Sequence, residues 1–466
     1  MLPRAWCLAA VISSIFALLQ YFSLAAPLAP WISPSDAGQA YANLRQRNQF
    51  ATLTNIGLAA LLWWLAAGRG TRGLAAQTGG NALQSPGRAW GGVGAALAAA
   101  LLVAGNAASA SRTGLVQLAL LIAMGWGWSR SAPAPLQKSV RRILLLAALA
   151  YGVATLGLPL LAGLDPRSTG LLARLQAGDP VCASRLTLWS NVLHLIAQKP
   201  WFGWGWGELD YAHFMTLYSG PRFCDILDNA HNLPLHLAVE LGVPLALAAC
   251  GLCAWRVWRA QPWRETHPTR QLAWAVLALI GLHSLLEYPL WYGPFQVAAL
   301  LCVGWLWMSP MRLAGESPAL GSEPIAAVDF QVVLNPLARM CIGMDAMVLL
   351  AFCAVSGWDY WRISQIYLPT AARAEAYRED TLQKIQGSWL FQDQVRFAEL
   401  GTTVLTPDNA PHVHALALAM LHFSPEPQVV QKLIDSAVLL GREDEAAWYR
   451  LRFNAAFGPP APAQAP

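Results

Sequence analysis

The sequence predicts an all-α protein: a polytopic membrane helix bundle with a small soluble helical domain at its C-terminal end. Three observations carry this. Apolar residues make up 56% of the chain and charged residues 12%, with a mean hydropathy of +0.38. An ordinary soluble domain carries about twice that charge. Apolar runs close to the roughly 20 residues needed to cross a bilayer as helix recur up to residue 357. After that the composition becomes that of a soluble domain. The 22 tryptophans suit many helix ends at membrane interfaces.

Nine stretches qualify as spans: 5–25, 49–67, 89–108, 114–128, 143–163, 233–255, 271–288, 294–309 and 339–357. The first has Arg4 before its apolar run, like a signal peptide. It lacks a clear small-x-small cleavage site and more spans follow, so it reads as a retained helix. Basic residues then set the orientation. Arg69, Arg72 and Arg88, then Arg130, Lys138, Arg141 and Arg142, then Arg256, Arg259, Arg264 and Arg270 fall in alternate loops. Such loops belong inside. The N-terminus is therefore expected inside, and the large loop 164–232 and everything after about 358 outside. The expected organisation is a membrane domain over 1–357 that includes this loop, a helical tail over 358–458, and a disordered Pro/Ala-rich end over 459–466.

The net charge of +5 needs no nucleic acid to explain it, since inside loops of membrane proteins collect Lys and Arg. There is no Walker loop and no GxGxxG after a strand. No Asp-x-Asp pair stands in an outside segment to hold a divalent metal for a nucleotide sugar. Cys250 and Cys253 form a CxxC inside a span without a second pair, which argues against zinc. With Cys7, Cys302, Cys341 and Cys353 they read as small buried hydrophobes. Cys182 and Cys224 are the two that fall in an outside loop. An oxidising compartment would join them as a disulfide.

Polar groups at membrane depth are costly, so their clusters need an account. The densest is Asp228-Asn229-Ala230-His231-Asn232, where the large loop re-enters the bilayer. His231 there suits a general base near neutral pH, or equally an interfacial histidine beside a helix cap formed by Asn229 or Asn232. The second cluster runs from Gly281 to Tyr292 and holds His283 and Tyr288. Both residue types are also common there for packing. Arginines are scattered over outside segments: Arg45, Arg47, Arg112, Arg185 and Arg222. Guanidinium groups bind phosphate in a planar fork, so together they suit a diphosphate at the outer leaflet. Lys199–Gly207 alternates Gly and Trp, which suits a turn at the interface. In the tail, Leu440–Ala447 resembles the turn of a tetratricopeptide hairpin. The tail reads as a cap on the membrane domain or as a docking surface for a protein partner.

The segment Asp228 to Pro244 resembles the O-antigen ligase/polymerase superfamily. The segment His283-Ser284-Leu285-Leu286-Glu287-Tyr288-Pro289-Leu290-Trp291-Tyr292 is similar to bacterial protein O-linked oligosaccharyltransferases, the pilin-glycosylation ligases. Leu44 to Ala51, Ser111-Arg112, Arg185 with Trp189, the Trp–Gly turn, Phe397-Ala398-Glu399 and Leu439-Leu440-Gly441-Arg442 fit the same family. The resemblance implies a multi-pass enzyme of the bacterial inner membrane with its site facing the periplasm. The donor would be a glycan on undecaprenyl diphosphate, and the acceptor a Ser or Thr hydroxyl of an exported protein such as a pilin. No cofactor and no metal are implied; membrane lipid is the surrounding partner. Carried over, His231 is the base or acceptor-orienting group, Tyr288 and Gln46 are site residues, and Arg112, Arg185 and Arg47 are diphosphate ligands. Family members commonly carry more spans ahead of the segment that matches residues 10–50, so a late start or a short member is expected. Two rivals remain: the same chemistry onto lipid A–core or onto a growing O-antigen chain, and a permease or lipid flippase.

Overall fold

The computed structural model describes residues 2–77, 87–177, 181–308 and 336–458. The end expected to be disordered, 459–466, lies outside the described residues, as do the side chains of Arg69, Arg72 and Arg88. Among the described residues there are helices and no strands. In chain order they are α1 (Leu2–Tyr21), α2 (Arg47–Gln77), α3 (Gly87–Ala108), α4 (Arg112–Ser129), α5 (Ala134–Leu161), α6 (Leu171–Ala177), α7 (Arg185–Gln198), α8 (Leu209–Met215), α9 (Leu233–Leu241), α10 (Val243–Ala260), α11 (Pro268–Ser284), α12 (Gly293–Met308), α13 (Pro336–Ser364), α14 (Thr381–Ile385), α15 (Gln392–Thr402), α16 (Ala410–Leu421), α17 (Pro427–Leu439) and α18 (Glu443–Phe457).

Local sequence explains many of the ends. Ser111 and Ser184 cap α4 and α7, accepting from the backbone N–H of Gly114 at 2.9 Å and of Thr187 at 3.2 Å. Proline opens the first turn of α5, α11, α16 and α17, where its missing N–H costs nothing. The chain divides into two compact units, Met1–Asp179 with His231–Pro234 and Ala248–Glu323, and Pro180–Ala230 with Leu235–Leu247 and Pro324–Pro466.

The first unit is the helix bundle. Leu58, Ala99, Leu102, Leu121, Ala147, Val276 and Leu279 are buried in its core. Small residues let its helices touch. A Cβ on Gly57 would stand 2.4 Å from the Cβ of Ala10, and one on Gly114 2.5 Å from that of Ala51. Close approach at small residues is how helices associate in lipid, where no hydrophobic force drives them together. The outward face is apolar too: Leu145, Leu149, Val153, Leu156 and Leu160 of α5 are exposed. That surface suits lipid, and the chain is an integral membrane protein. Leu2–Tyr21, Arg47–Ala67 and Ala134–Leu161 are each long and apolar enough to cross a membrane.

The second unit joins the 181–230 segment to the tail. Phe214 of α8 is buried with Val413, Ala417, Leu433, Ile434 and Tyr449 in one core. Tyr211 stacks on His422 with ring centres 4.0 Å apart, His422 Nδ1 lies 2.7 Å from Glu208 Oε2, and Arg452 Nε donates to the Met215 carbonyl at 3.0 Å. The sequence assigned this loop to the membrane domain. In the structure, one of its helices completes the core of the tail.

The sixth apolar stretch, expected as one span, is two helices. The break is at Gly242, whose φ is +89°. The Trp–Gly turn fills the break: Trp204 N–H donates to Val239 O at 2.8 Å, Gly205 N–H to Glu240 O at 3.0 Å, and Val243 N–H to Pro200 O at 2.8 Å. Backbone meets backbone, so side chains are excluded on both sides. A Cβ on Gly242 would lie 2.1 Å from Trp201 O, and one on Gly203 2.3 Å from Glu240 C and O. Non-helical backbone at such a place is tolerated because protein satisfies its polar groups. Gly242→Ala should therefore destabilise the fold by at least the roughly 1–3 kcal/mol of a strained backbone position. Thermal unfolding in detergent should show a lower midpoint, whereas Gly251→Ala, in open space on α10, should not.

Candidate functional site

One end of the bundle gathers polar side chains from several elements. α2 and α4 begin there, α11 ends there, and the His231–Pro234 segment belongs to the same unit. Gln46 precedes α2 and accepts from the N–H of Gln49 at 2.7 Å, so it caps that helix. Arg47 is the first residue of α2 and Arg112 the first of α4. The sequence had placed Arg112 in a short connecting loop. Each of these arginines sits at a helix N-terminus, which already carries about half a positive charge.

The centre is a carboxylate. Glu287 Oε2 lies 2.9 Å from His231 Nδ1. Its other oxygen accepts from Asn48 Nδ2 at 3.0 Å, and Asn48 Oδ1 accepts from Ser111 Oγ at 2.6 Å. Glu287 and Asn48 are buried, while the His231 side chain keeps 26% of its surface exposed. The chain Ser111–Asn48–Glu287–His231 thus links α4, α2, the end of α11 and the re-entering loop. Asn232, just before α9, donates from Nδ2 to Leu285 O at 3.0 Å and ties that loop to the turn after α11. His231 has φ +50°, an uncommon conformation for a residue with a Cβ. Such positions persist where surroundings over-determine them, and they cluster at functional sites.

Tyr288 stands edge-on to His231, with ring centres 4.9 Å apart, and stacks on Tyr292 at 5.9 Å. Deeper in the bundle, Thr52 Oγ1 lies 2.9 Å from His283 Nδ1 and 3.0 Å from Gln117 Oε1, and Gln117 Nε2 donates to Leu279 O at 2.8 Å. His283 is therefore part of a buried polar layer between α2, α4 and α11.

The remaining expected residues fall in the second unit. Arg185 is the first residue of α7, behind the Ser184 cap. Cys182 and Cys224 are neighbours: Cys224 N–H donates to Cys182 O at 3.2 Å. Hydrogen bonding between the two thiols, with some burial, pushes the Cys224 thiol up to about 11. Both are thiols in this structure. Arg222, grouped by sequence with the outside arginines, braces its own loop instead. It donates to Thr216 O and His213 O, each at 2.9 Å, and lies over the Tyr218 ring. Burial, with the Arg222 charge adding, holds His213 down at about 3, so it is a neutral packing group.

The sequence reading gave no role to Glu287 or Asn48. The signal for Glu287 was available, because an acid inside an expected span, 271–288, is expensive unless partnered. For Asn48 there was none: one amide in a polar run is not distinguishable from its neighbours.

Comparison with known proteins gives three family matches. Residues 97–250 match the family described as O-Antigen ligase. Residues 40–65, which hold Gln46, Arg47 and Asn48, match the family described as Protein glycosylation ligase. Residues 271–465 match Virulence factor membrane-bound polymerase, C-terminal. The chain is 30% identical over 177 residues to a General O-oligosaccharyltransferase of Acinetobacter baylyi, a stretch covering 35% of this chain and 30% of that protein. No solved structure gives a significant match. The three family matches run along most of the sequence, and the chain is similar to O-antigen ligases and protein glycosylation ligases.

Proposed function

We propose that this protein is an O-linked oligosaccharyltransferase. It moves a glycan from undecaprenyl diphosphate to Ser or Thr hydroxyls of exported proteins such as pilins, at a periplasm-facing site in the inner membrane. The observation that carries this reading is His231, held through Nδ1 by the buried Glu287 at the end of the bundle where arginines open α2 and α4. The acceptor hydroxyl oxygen bonds to the anomeric carbon as the bond from that carbon to the diphosphate breaks. The hydroxyl proton goes to His231 Nε2, and undecaprenyl diphosphate leaves. One such displacement inverts the anomeric configuration. Glu287 is a positioning residue: it fixes the ring and stabilises the imidazolium as it forms. Arg112, Arg185 and Arg47 offset the charge developing on the leaving diphosphate, the largest electrostatic task in the step. Tyr288 and Gln46 shape the place of the acceptor and the start of α2.

A second reading has its own support. The polymerase-type match over 271–465 fits a sugar hydroxyl as acceptor. The two separate by product: glycosylated protein in one case, a longer lipid-linked glycan in the other. Transfer from purified lipid-linked glycan to a pilin-like acceptor is the direct assay, and absence of glycoprotein with lengthening of the donor would replace the first reading by the second.

In that assay His231→Ala should lower kcat by roughly 10²–10⁴-fold with membrane insertion intact. Glu287→Gln should lower kcat with little change in KM. Wild-type activity in Glu287→Gln would exclude its positioning role.

Arg112→Lys and Arg185→Lys keep charge but lose the planar fork, so each should reduce transfer from the diphosphate donor. Transfer should continue in chelator, with arginines rather than a divalent metal meeting the diphosphate. Activity lost in chelator and restored by Mg²⁺ or Mn²⁺ would contradict this.

A disulfide between Cys182 and Cys224 is part of the same reading, since it requires an oxidising compartment for this loop. It would stabilise the loop by about 4 kcal/mol in the chain-entropy model. Protein taken from membranes and denatured should leave both cysteines unlabelled by thiol reagent until reductant is added. Full labelling without reductant would mean there is no bridge.

A further inference from the structure

The other end of the bundle holds a cavity that the transfer reaction does not use. It has a volume of about 450 Å³ and lies between α2, α4, the start of α5 and α11, away from His231. Its interior is apolar, with Ala59, Leu121 and Ala275; its mouth is polar, with Ser129, Ser131 and Gln271. From Leu121 to Ser129 it follows α4 for eight residues, about 12 Å at the usual helical rise. An apolar slot of that depth with a polar rim fits the upper part of an acyl chain and the glycerol that carries it.

The charge around the mouth is of one sign. Arg130, Lys138 and Arg142 are exposed on the turn and helix that form the rim, between and beside lining residues. Arg141 donates from Nε to Ser129 Oγ at 3.1 Å and lies over the Trp126 ring at 4.6 Å, which fixes a guanidinium at the edge of the slot. Over 130–142 and 256–270 the sequence has one acid, Glu265. That carboxylate is already spent: it is buried against Arg270 Nε at 2.6 Å and accepts the N–H groups of Thr266 and His267 at 3.0 Å. The rim is therefore basic without local compensation from this acid.

We infer that this cavity is a binding site for an anionic glycerophospholipid, with its acyl chain in the slot and its phosphate among Arg130, Lys138, Arg141 and Arg142. Basic pockets between membrane helices select anionic headgroups, and each Lys or Arg near the surface contributes about five-fold in affinity. A zwitterionic lipid such as phosphatidylcholine brings a cation beside its phosphate, so the basic rim favours it less. The site rests on the bundle being in a membrane and not on the transfer activity, so its failure would leave the proposed reaction standing.

The test is native mass spectrometry of the full chain purified in detergent, delipidated, then titrated with dioleoylphosphatidylglycerol or dioleoylphosphatidylcholine. The wild type should retain one phosphatidylglycerol in clear preference to phosphatidylcholine. Arg130→Gln and Arg142→Gln should each weaken retention about five-fold. Ala275→Phe, filling the slot, should weaken it at least as much. Ala132→Trp should act like it by closing the mouth from the exposed turn, where folding is least at risk. Equal retention of the two lipids would overturn the proposal. So would undiminished phosphatidylglycerol binding in a folded Ala132→Trp or Ala275→Phe variant, because the lipid would then be held by surface charge alone.

Discussion

Glu287 lies almost out of water at the end of a membrane bundle, and a carboxylate in that position is costly unless its oxygens are met. Here both are: one by Asn48 of α2, the other by His231 of the re-entering loop. Because Asn48 in turn accepts from Ser111, the residue that caps α4, one buried charge draws together the start of α2, the start of α4, the turn after α11 and the loop before α9. None of these elements is adjacent in sequence. The contact also holds the His231 ring through Nδ1.

Arg47, Arg112 and Arg185 each occupy the first residue of a helix, behind Gln46, Ser111 and Ser184. A cation there opposes the helix dipole, so it is a poor choice for helix stability alone. It becomes favourable when an anion binds, because backbone N–H groups and guanidinium then act on the same charge. The buried layer of Thr52, Gln117 and His283 has a different task, since its hydrogen bonds run between helices inside the bundle and fix their register.

In the second unit the organising feature is steric. Gly203 and Gly242 let the Trp–Gly turn lie directly on the α9–α10 break, where each backbone satisfies the other. The loop that carries this turn also gives Phe214 and Tyr211 to the helical tail. The tail is thus not a free-standing hairpin stack. Its core needs residues from about two hundred positions earlier in the chain.

The sequence alone determined the solvent and the fold class, because composition and run length depend only on how much apolar surface must leave water. It also determined the residues that carry the family resemblance, His231 and Tyr288 among them, since these are local strings. It did not determine that the sixth span is broken: 233–255 reads as one continuous apolar helix, and the break is filled by a turn about forty residues earlier. Nor did it assign Arg222 to its own loop or Arg112 to a helix start. Above all it left Glu287 and Asn48 without a role. Their meaning is a distance, 3.0 Å between atoms 239 residues apart, and such a contact is set by helix packing, not by any local pattern.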